Sequence, residues 1–135
     1  ANFNYLQTHM HSPSENTVNG VHFPLEMHMV HCSGACELGV DRFAVVGVLF
    51  DVGADDLNTA ATRAMDALLE KVAASSGSLS SAVDMGAFLE SDSGIYNWDG
   101  SLTTPPCTEG LQWLLQSAVV EIRPDQIDKY FAQIG

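Results

Sequence analysis

Basic residues are scarce in this chain. Five lysines and arginines stand against 17 aspartates and glutamates in 135 residues, a formal net charge of −12. Nucleic-acid binding needs clustered Lys and Arg to displace counterions, so that class is excluded. An anionic membrane surface is disfavoured for the same reason. The acidic residues are scattered and form no tail, and their plain consequence is solubility through self-repulsion. No apolar run is long enough to cross a bilayer, so membrane insertion is not expected. Ala1-Asn2-Phe3-Asn4 carries no basic segment followed by an apolar stretch, so no secretory signal is expected within these residues. A mature or trimmed protein lacks one too, and the compartment stays open. Cysteine is also sparse. Cys32 and Cys36 flank Ser33-Gly34-Ala35, which fits either a local disulfide or two free thiols. A structural zinc site built on cysteine needs a second pair, and none exists.

What is there reads as one domain over residues 1–135, with 46% hydrophobic residues and enough length for a core. Residues 3–11 alternate as a strand, with Phe3, Tyr5, Gln7, His9 and His11 on one face. Residues 12–20 read as a polar loop and 21–32 as a second strand. Residues 42–52 form a nearly continuous apolar run, expected at the centre of a large sheet. Helical period takes over in 56–74, where Leu57, Ala61, Ala64, Leu68 and Val72 form one stripe and Asp55 or Asp56 can cap the start. Residues 75–78 read as a loop and 84–90 as a short turn or helix. Short strand 95–99 and apolar strand 109–121 follow, then a helix over 124–133 opened by Pro124. The fold class is α+β: a large twisted, mostly antiparallel β-sheet with a few peripheral helices.

Three histidines carry the chemistry. His9 and His11 lie two apart in Gln7-Thr8-His9-Met10-His11, so a strand projects both from one face. His28, in Glu26-Met27-His28-Met29-Val30-His31, can join them from a neighbouring strand. Three neutral imidazoles without a fourth protein ligand describe an open tetrahedral zinc site, while on spacing alone strand histidines are more often hydrogen-bonded structural residues. Gln7 and Glu26 each precede a ligand by two residues and share its face. Each can accept the ring N–H turned away from a metal, fixing tautomer and orientation. His31 faces away from His28 and reads as structural, and His22 is expected in solvent without a role.

These segments, with Ser14-Glu15-Asn16-Thr17-Val18 and Ser101-Leu102-Thr103-Thr104-Pro105-Pro106-Cys107, resemble the alpha-class carbonic anhydrases in order and spacing over nearly the whole chain. The resemblance implies a carbonate dehydratase, a zinc lyase that reversibly hydrates carbon dioxide to bicarbonate through a zinc-bound hydroxide. Zn2+ is the implied cofactor, held by His9, His11 and His28. Zinc lowers the pKa of its water to about 7, an effect for which carbonic anhydrase is itself the reference example.

By the same resemblance, Thr103 orients the hydroxide and Glu15 accepts the threonine proton. An ionised carboxylate can only accept, so it fixes the direction of that hydrogen bond. Without the resemblance, Thr103 reads as a turn residue before two prolines. Val30, Val45, Leu102 and Trp113 match the apolar substrate wall and Thr104 a position near bicarbonate. Pattern alone makes the apolar four ordinary core.

The resemblance also implies that this is the central to late part of a longer fold. The N-terminal region and the last C-terminal stretch have no counterpart, which removes the family's proton-shuttling histidine and leaves sheet edges bare. Ser12 and Pro13 follow His11 where the family commonly has tryptophan and glycine. Cys107 occupies a family disulfide position whose upstream partner is missing. Its presence points to a secreted, periplasmic or organelle-lumenal compartment. The alternative reading is a non-catalytic carbonic-anhydrase-related binding module, or a structural subunit of a larger assembly.

Overall fold

The apolar run at 42–52 organises the molecule. In the computed structural model, which describes residues 2–75 and 83–134, it is strand Phe43–Val52, flanked on both sides. In chain order the strands are β1 (Asn4–His11), β2 (Thr17–Val18), β3 (Val21–His22), β4 (Leu25–Cys32), β5 (Phe43–Val52), β6 (Ile95–Ser101), β7 (Glu109–Gln116) and β8 (Val120–Ile122). The main sheet runs β1-β4-β5-β7-β6, with β8 also on β5, and β2 and β3 make a separate hairpin. Pairing is antiparallel at β1/β4, β4/β5 and β6/β7, and parallel where β7 and β8 meet β5. Helix α1 (Ala60–Ser75), a 3₁₀ turn (Met85–Phe88) and helix α2 (Pro124–Ile134) complete the α+β fold. The loop expected at 75–78 falls, beyond Ser75, outside the described residues, as does the side chain of Val72.

The two faces of the sheet do different work. Leu25, Met27 and Met29 of β4, with Val48 and Phe50 of β5, pack under Met65, Leu68, Leu69 and Phe88. The intervening residues of the same strands point the other way. There Val30, Cys32, Phe43, Val45, Leu111 and Trp113 form a second cluster beside the histidines. Period-two alternation therefore sorts helix-facing from site-facing side chains.

Four boundaries differ from the sequence expectations. The strand expected over 21–32 is interrupted at Phe23-Pro24, and Pro24 has no N–H for a ladder. Asn19-Gly20, expected within a loop, is a two-residue hairpin turn joining β2 to β3, with both residues at positive φ. The strand expected over 109–121 is two: Gly47 pairs with Leu115, but Phe50 pairs with Val120, so this side spends two more residues than β5. An excursion of two keeps the alternation intact. Helix α1 starts at Ala60, capped by Thr59 and not by Asp55 or Asp56. Thr62 N–H donates to Thr59 Oγ1 and Thr59 N–H to Thr62 Oγ1, a reciprocal capping box.

Gly100 shows how tightly the site-facing cluster is built. Trp113 pairs with Trp98 across β6 and β7, and their rings stack at 5.9 Å and 7°. A Cβ on Gly100 would come within 2.6 Å of Trp113 Cδ1 and 3.2 Å of Trp98 Nε1. Neither ring can yield by bond rotation at its tip. Gly100→Ala is expected to lower stability by about 1–3 kcal/mol, the usual range for overpacking, measured by urea unfolding. An unchanged midpoint would show that the rings have room to shift.

Candidate metal centre

β1 and β4 bring the three histidines together because His9 lies directly opposite His28 and His11 opposite Glu26. Ring centroids are 4.9 Å apart for His9 and His11, 5.3 Å for His9 and His28, and 4.7 Å for His11 and His28. One ligand nitrogen from each lies within 4.8 Å of the others. His9 and His11 are half-buried and His28 is buried.

The hydrogen bonds fix which nitrogens face inward. His9 Nδ1–H donates to Gln7 Oε1 at 2.8 Å, leaving Nε2 free. His28 Nε2–H donates to Glu26 Oε2 at 2.5 Å, leaving Nδ1 free. His11 Nε2 is buried and, among the described residues, has no hydrogen-bond partner. Glu15 Oε1 lies 3.2 Å from it but outside hydrogen-bonding geometry. An orphaned nitrogen beside two lone pairs already aimed inward is a donor set that suits a borderline-soft cation such as zinc.

Electrostatics favour the neutral form of His9 and His11. Burial, then the charges His28 and His11 would carry, push His9 down to about 4. Burial, followed by the His28 interaction, also lowers His11, against the opposing pull of Glu15 and Glu26. Burial alone would raise the Glu26 carboxyl. Hydrogen bonds from His28, from the Asn16 backbone N–H (2.8 Å) and from the Asn16 side-chain amide (2.6 Å) outweigh it and hold Glu26 below its usual range. Asn16 was not among the expected site residues. The available signal was the buried Glu26, which needs donors in addition to one imidazole.

On the far side of the cluster, Thr103 Oγ1 donates to Glu15 Oε1 at 2.8 Å across 88 residues of sequence. Glu15 Oε1 is 3.8 Å from His28 Nδ1. A cleft of about 320 Å³ opens beside His9 and His28. Val30, Val45, Leu102, Thr103, Thr104 and Trp113 all line it. Trp113 meets His28 edge-on at 4.8 Å and donates its indole N–H to the Ser101 carbonyl at 3.1 Å.

Leu6, Cys36, Leu38 and Phe43 line the cleft as well, none of them expected. Leu6 is there because β1 carries a bulge: Tyr5 pairs with His31 but Gln7 with Val30, leaving Leu6 unpaired. The bulge turns Tyr5, expected on the histidine face, to the opposite side. Its ring meets His31 there and its hydroxyl bonds with Thr8. His31 faces away from the site, as expected, and its Nδ1–H donates to the Met29 carbonyl at 3.0 Å. His22 is exposed yet not without a partner, since its Nδ1–H donates to the Ser14 carbonyl at 2.7 Å. Cys32 and Cys36 are joined as a disulfide, and Cys107 is an exposed free thiol. No helix among the described residues is long and apolar enough to cross a membrane.

Comparison with known proteins places the chain in a family. The family model for eukaryotic-type carbonic anhydrase matches residues 1–134. Alpha carbonic anhydrase 4 of Arabidopsis thaliana is 38% identical over 93% of this chain and 43% of its own length. A carbonic anhydrase of Klebsiella pneumoniae is 35% identical over 92% of this chain and 47% of its own. Among solved structures, the alpha-carbonic anhydrase of Thermovibrio ammonificans, in complex with the inhibitor sulfanilamide, superposes with a TM-score of 0.75. It is 35% identical, with 98% of this chain and 55% of that one covered. The chain thus spans about half the length of the relatives it matches. By its match to the family model along almost its whole length, it belongs to the eukaryotic-type, or alpha-class, carbonic anhydrases.

Proposed function

We propose that this chain carries the metal centre and substrate cleft of a zinc-dependent carbonic anhydrase, acting on carbon dioxide and bicarbonate. One observation supports this above the rest: three imidazoles converge, with the outward nitrogens of His9 and His28 tied to Gln7 and Glu26 and with His11 Nε2 buried and unpartnered among the described residues, so that each ring keeps one nitrogen for a cation. His9, His11 and His28 would hold the zinc. Zinc in an all-histidine site supplies Lewis acidity sufficient to make water a nucleophile at neutral pH.

The chain's own groups do the rest. Gln7 and Glu26 hold the tautomers and planes of two ligand rings. Glu15 accepts the Thr103 hydroxyl's hydrogen bond, which leaves the threonine oxygen free to accept in turn at the reacting centre. Val30, Val45, Leu102 and Trp113 offer an apolar wall to carbon dioxide, and Thr104 a polar rim for bicarbonate. The cystine between Cys32 and Cys36 fits an oxidising setting, secreted, periplasmic or lumenal.

The test is zinc by elemental analysis on the purified protein, paired with stopped-flow carbon dioxide hydration. About one zinc per chain with hydration supports the proposal. A folded chain that takes up no zinc rejects it. The role of Thr103 has its own test. Thr103→Val keeps the shape and removes the hydroxyl. It should lower kcat/KM by about a hundredfold with zinc content unchanged, and Thr103→Ser should restore most of it. Equal loss in both variants would assign Thr103 to loop packing.

A further inference from the structure

The loop between β4 and β5, residues 33–42, forms one wall of the cleft through Cys36 and Leu38. Its base is closed by Ser33 N–H to the Arg42 carbonyl and Arg42 N–H to Ser33 Oγ, both 2.9 Å. Its outer turn is bonded to itself: Asp41 N–H donates to the Glu37 carbonyl and Glu37 N–H to Asp41 Oδ2, both 2.8 Å. Between base and turn, the described bonds are one from Cys36 N–H to the Ser33 carbonyl, at 3.3 Å, and the Cys32–Cys36 disulfide. Cys36 sits at φ 63°, in the left-handed region that a non-glycine residue occupies at a cost. Cys32 is anchored in the buried cluster around Val30, Phe43 and Trp113, and Cys36 packs against the same cluster. The covalent bond therefore runs from the rigid end of β4 to the segment that places Leu38. His9, His11, His28, Glu15 and Thr103 all lie outside this loop.

We propose that Cys36 is a positioning residue: its disulfide to Cys32 holds the β4–β5 loop so that Leu38 completes the apolar wall of the cleft, and reduction of this bond opens the wall without touching the metal ligands. The reductant is a dithiol. It passes two electrons and two protons to the cystine, closes to its own disulfide, and leaves Cys32 and Cys36 as thiols. The cleft wall is then responsive to thiol redox conditions. The kinetic part of this inference rests on the carbonic anhydrase reading, and the structural part does not.

The experiment compares the zinc-loaded chain, oxidised and after dithiothreitol, with thiols counted by mass spectrometry. Hydrogen exchange of the amides in 33–42 should speed by about tenfold or more on reduction, while those of β4 and β5 hold. The KM for carbon dioxide should rise about fivefold, with kcat changed less than twofold, because wall contacts bind the substrate and the reacting groups are unmoved. Cys36→Ser should show both effects without reductant. Cys107→Ser should keep the wild-type response, which assigns it to the 32–36 pair. Leu38→Ala in the oxidised protein should raise KM by a similar factor, so the wall is tested even if the reduced chain loses structure. Unchanged exchange in 33–42 on reduction overturns the proposal, as does a KM indifferent to Leu38→Ala. If neither redox form hydrates carbon dioxide, the enzymatic reading fails and exchange alone decides the loop.

Discussion

His28→Ala should lose its zinc and, with it, carbon dioxide hydration by about a thousandfold or more. The magnitude follows from the several kcal/mol that Lewis-acid activation supplies, at about 1.4 kcal/mol per tenfold in rate. His28 is 1% exposed and its Nε2–H donates to Glu26, so its ring has one orientation and one free nitrogen. A pair of histidines on the edge strand β1 cannot replace it, because both are half-buried and open to water. Removal of a buried ring can also disturb the fold. His9→Ala, at a more open position, separates the two effects. It should abolish stoichiometric zinc while the far-ultraviolet circular dichroism stays that of the parent. The measurement is zinc per chain after dialysis, followed by stopped-flow hydration at matched protein concentration. Full zinc occupancy in both variants would move the metal elsewhere.

Much of this site could be read before the fold was seen, and the reason is periodicity. His9 and His11 two apart, Gln7 and Glu26 each two before a ligand, and Val30 two after His28 are all same-face relations that strand geometry enforces. The doubly buried β5 was legible as an unbroken apolar run. What escaped were departures from the period. The bulge at Leu6 reverses Tyr5 and brings Leu6 to the cleft, and no residue type announces it. The pause at 117–119 splits one apparent strand because Ser117 and Ala118 bond back to Gly94 and Ser93 instead of continuing along β5. Cys36 and Leu38 reach the cleft from a non-periodic loop, which spacing cannot place. The Thr103–Glu15 contact spans 88 residues and was accessible only through family resemblance. The Thr59 cap and the Asn19-Gly20 turn were different, since both have local signatures that sequence reasoning had available.

Glu26→Ala should be the most destabilising single change near the site. Glu26 is fully buried and accepts three hydrogen bonds, from His28 and from both the backbone and side chain of Asn16. Truncation leaves the buried His28 N–H and two half-buried Asn16 donors without their acceptor, and breaking a buried charged contact of this kind costs about 3–5 kcal/mol. It also frees the His28 ring to rotate, and loss of such a partner usually weakens metal binding by about 10–100-fold. Glu26→Gln divides the two contributions. Its amide oxygen can still accept from one donor, but its NH₂ faces the others, so metal affinity should fall while part of the stability returns.

The acid behaviour follows from the same contacts. The folded-state pKa of Glu26 lies below its ordinary 4.5, so the folded state binds fewer protons than the unfolded one. Its contribution is complete above about pH 4.5 and is lost as pH falls through the lowered value. Urea unfolding of the metal-free chain between pH 6 and pH 3 should therefore show a steeper loss of stability than Glu26→Gln shows over the same range. Parallel pH profiles would mean that the carboxylate's hydrogen bonds contribute nothing to folding, and that its place beside His28 serves the metal alone.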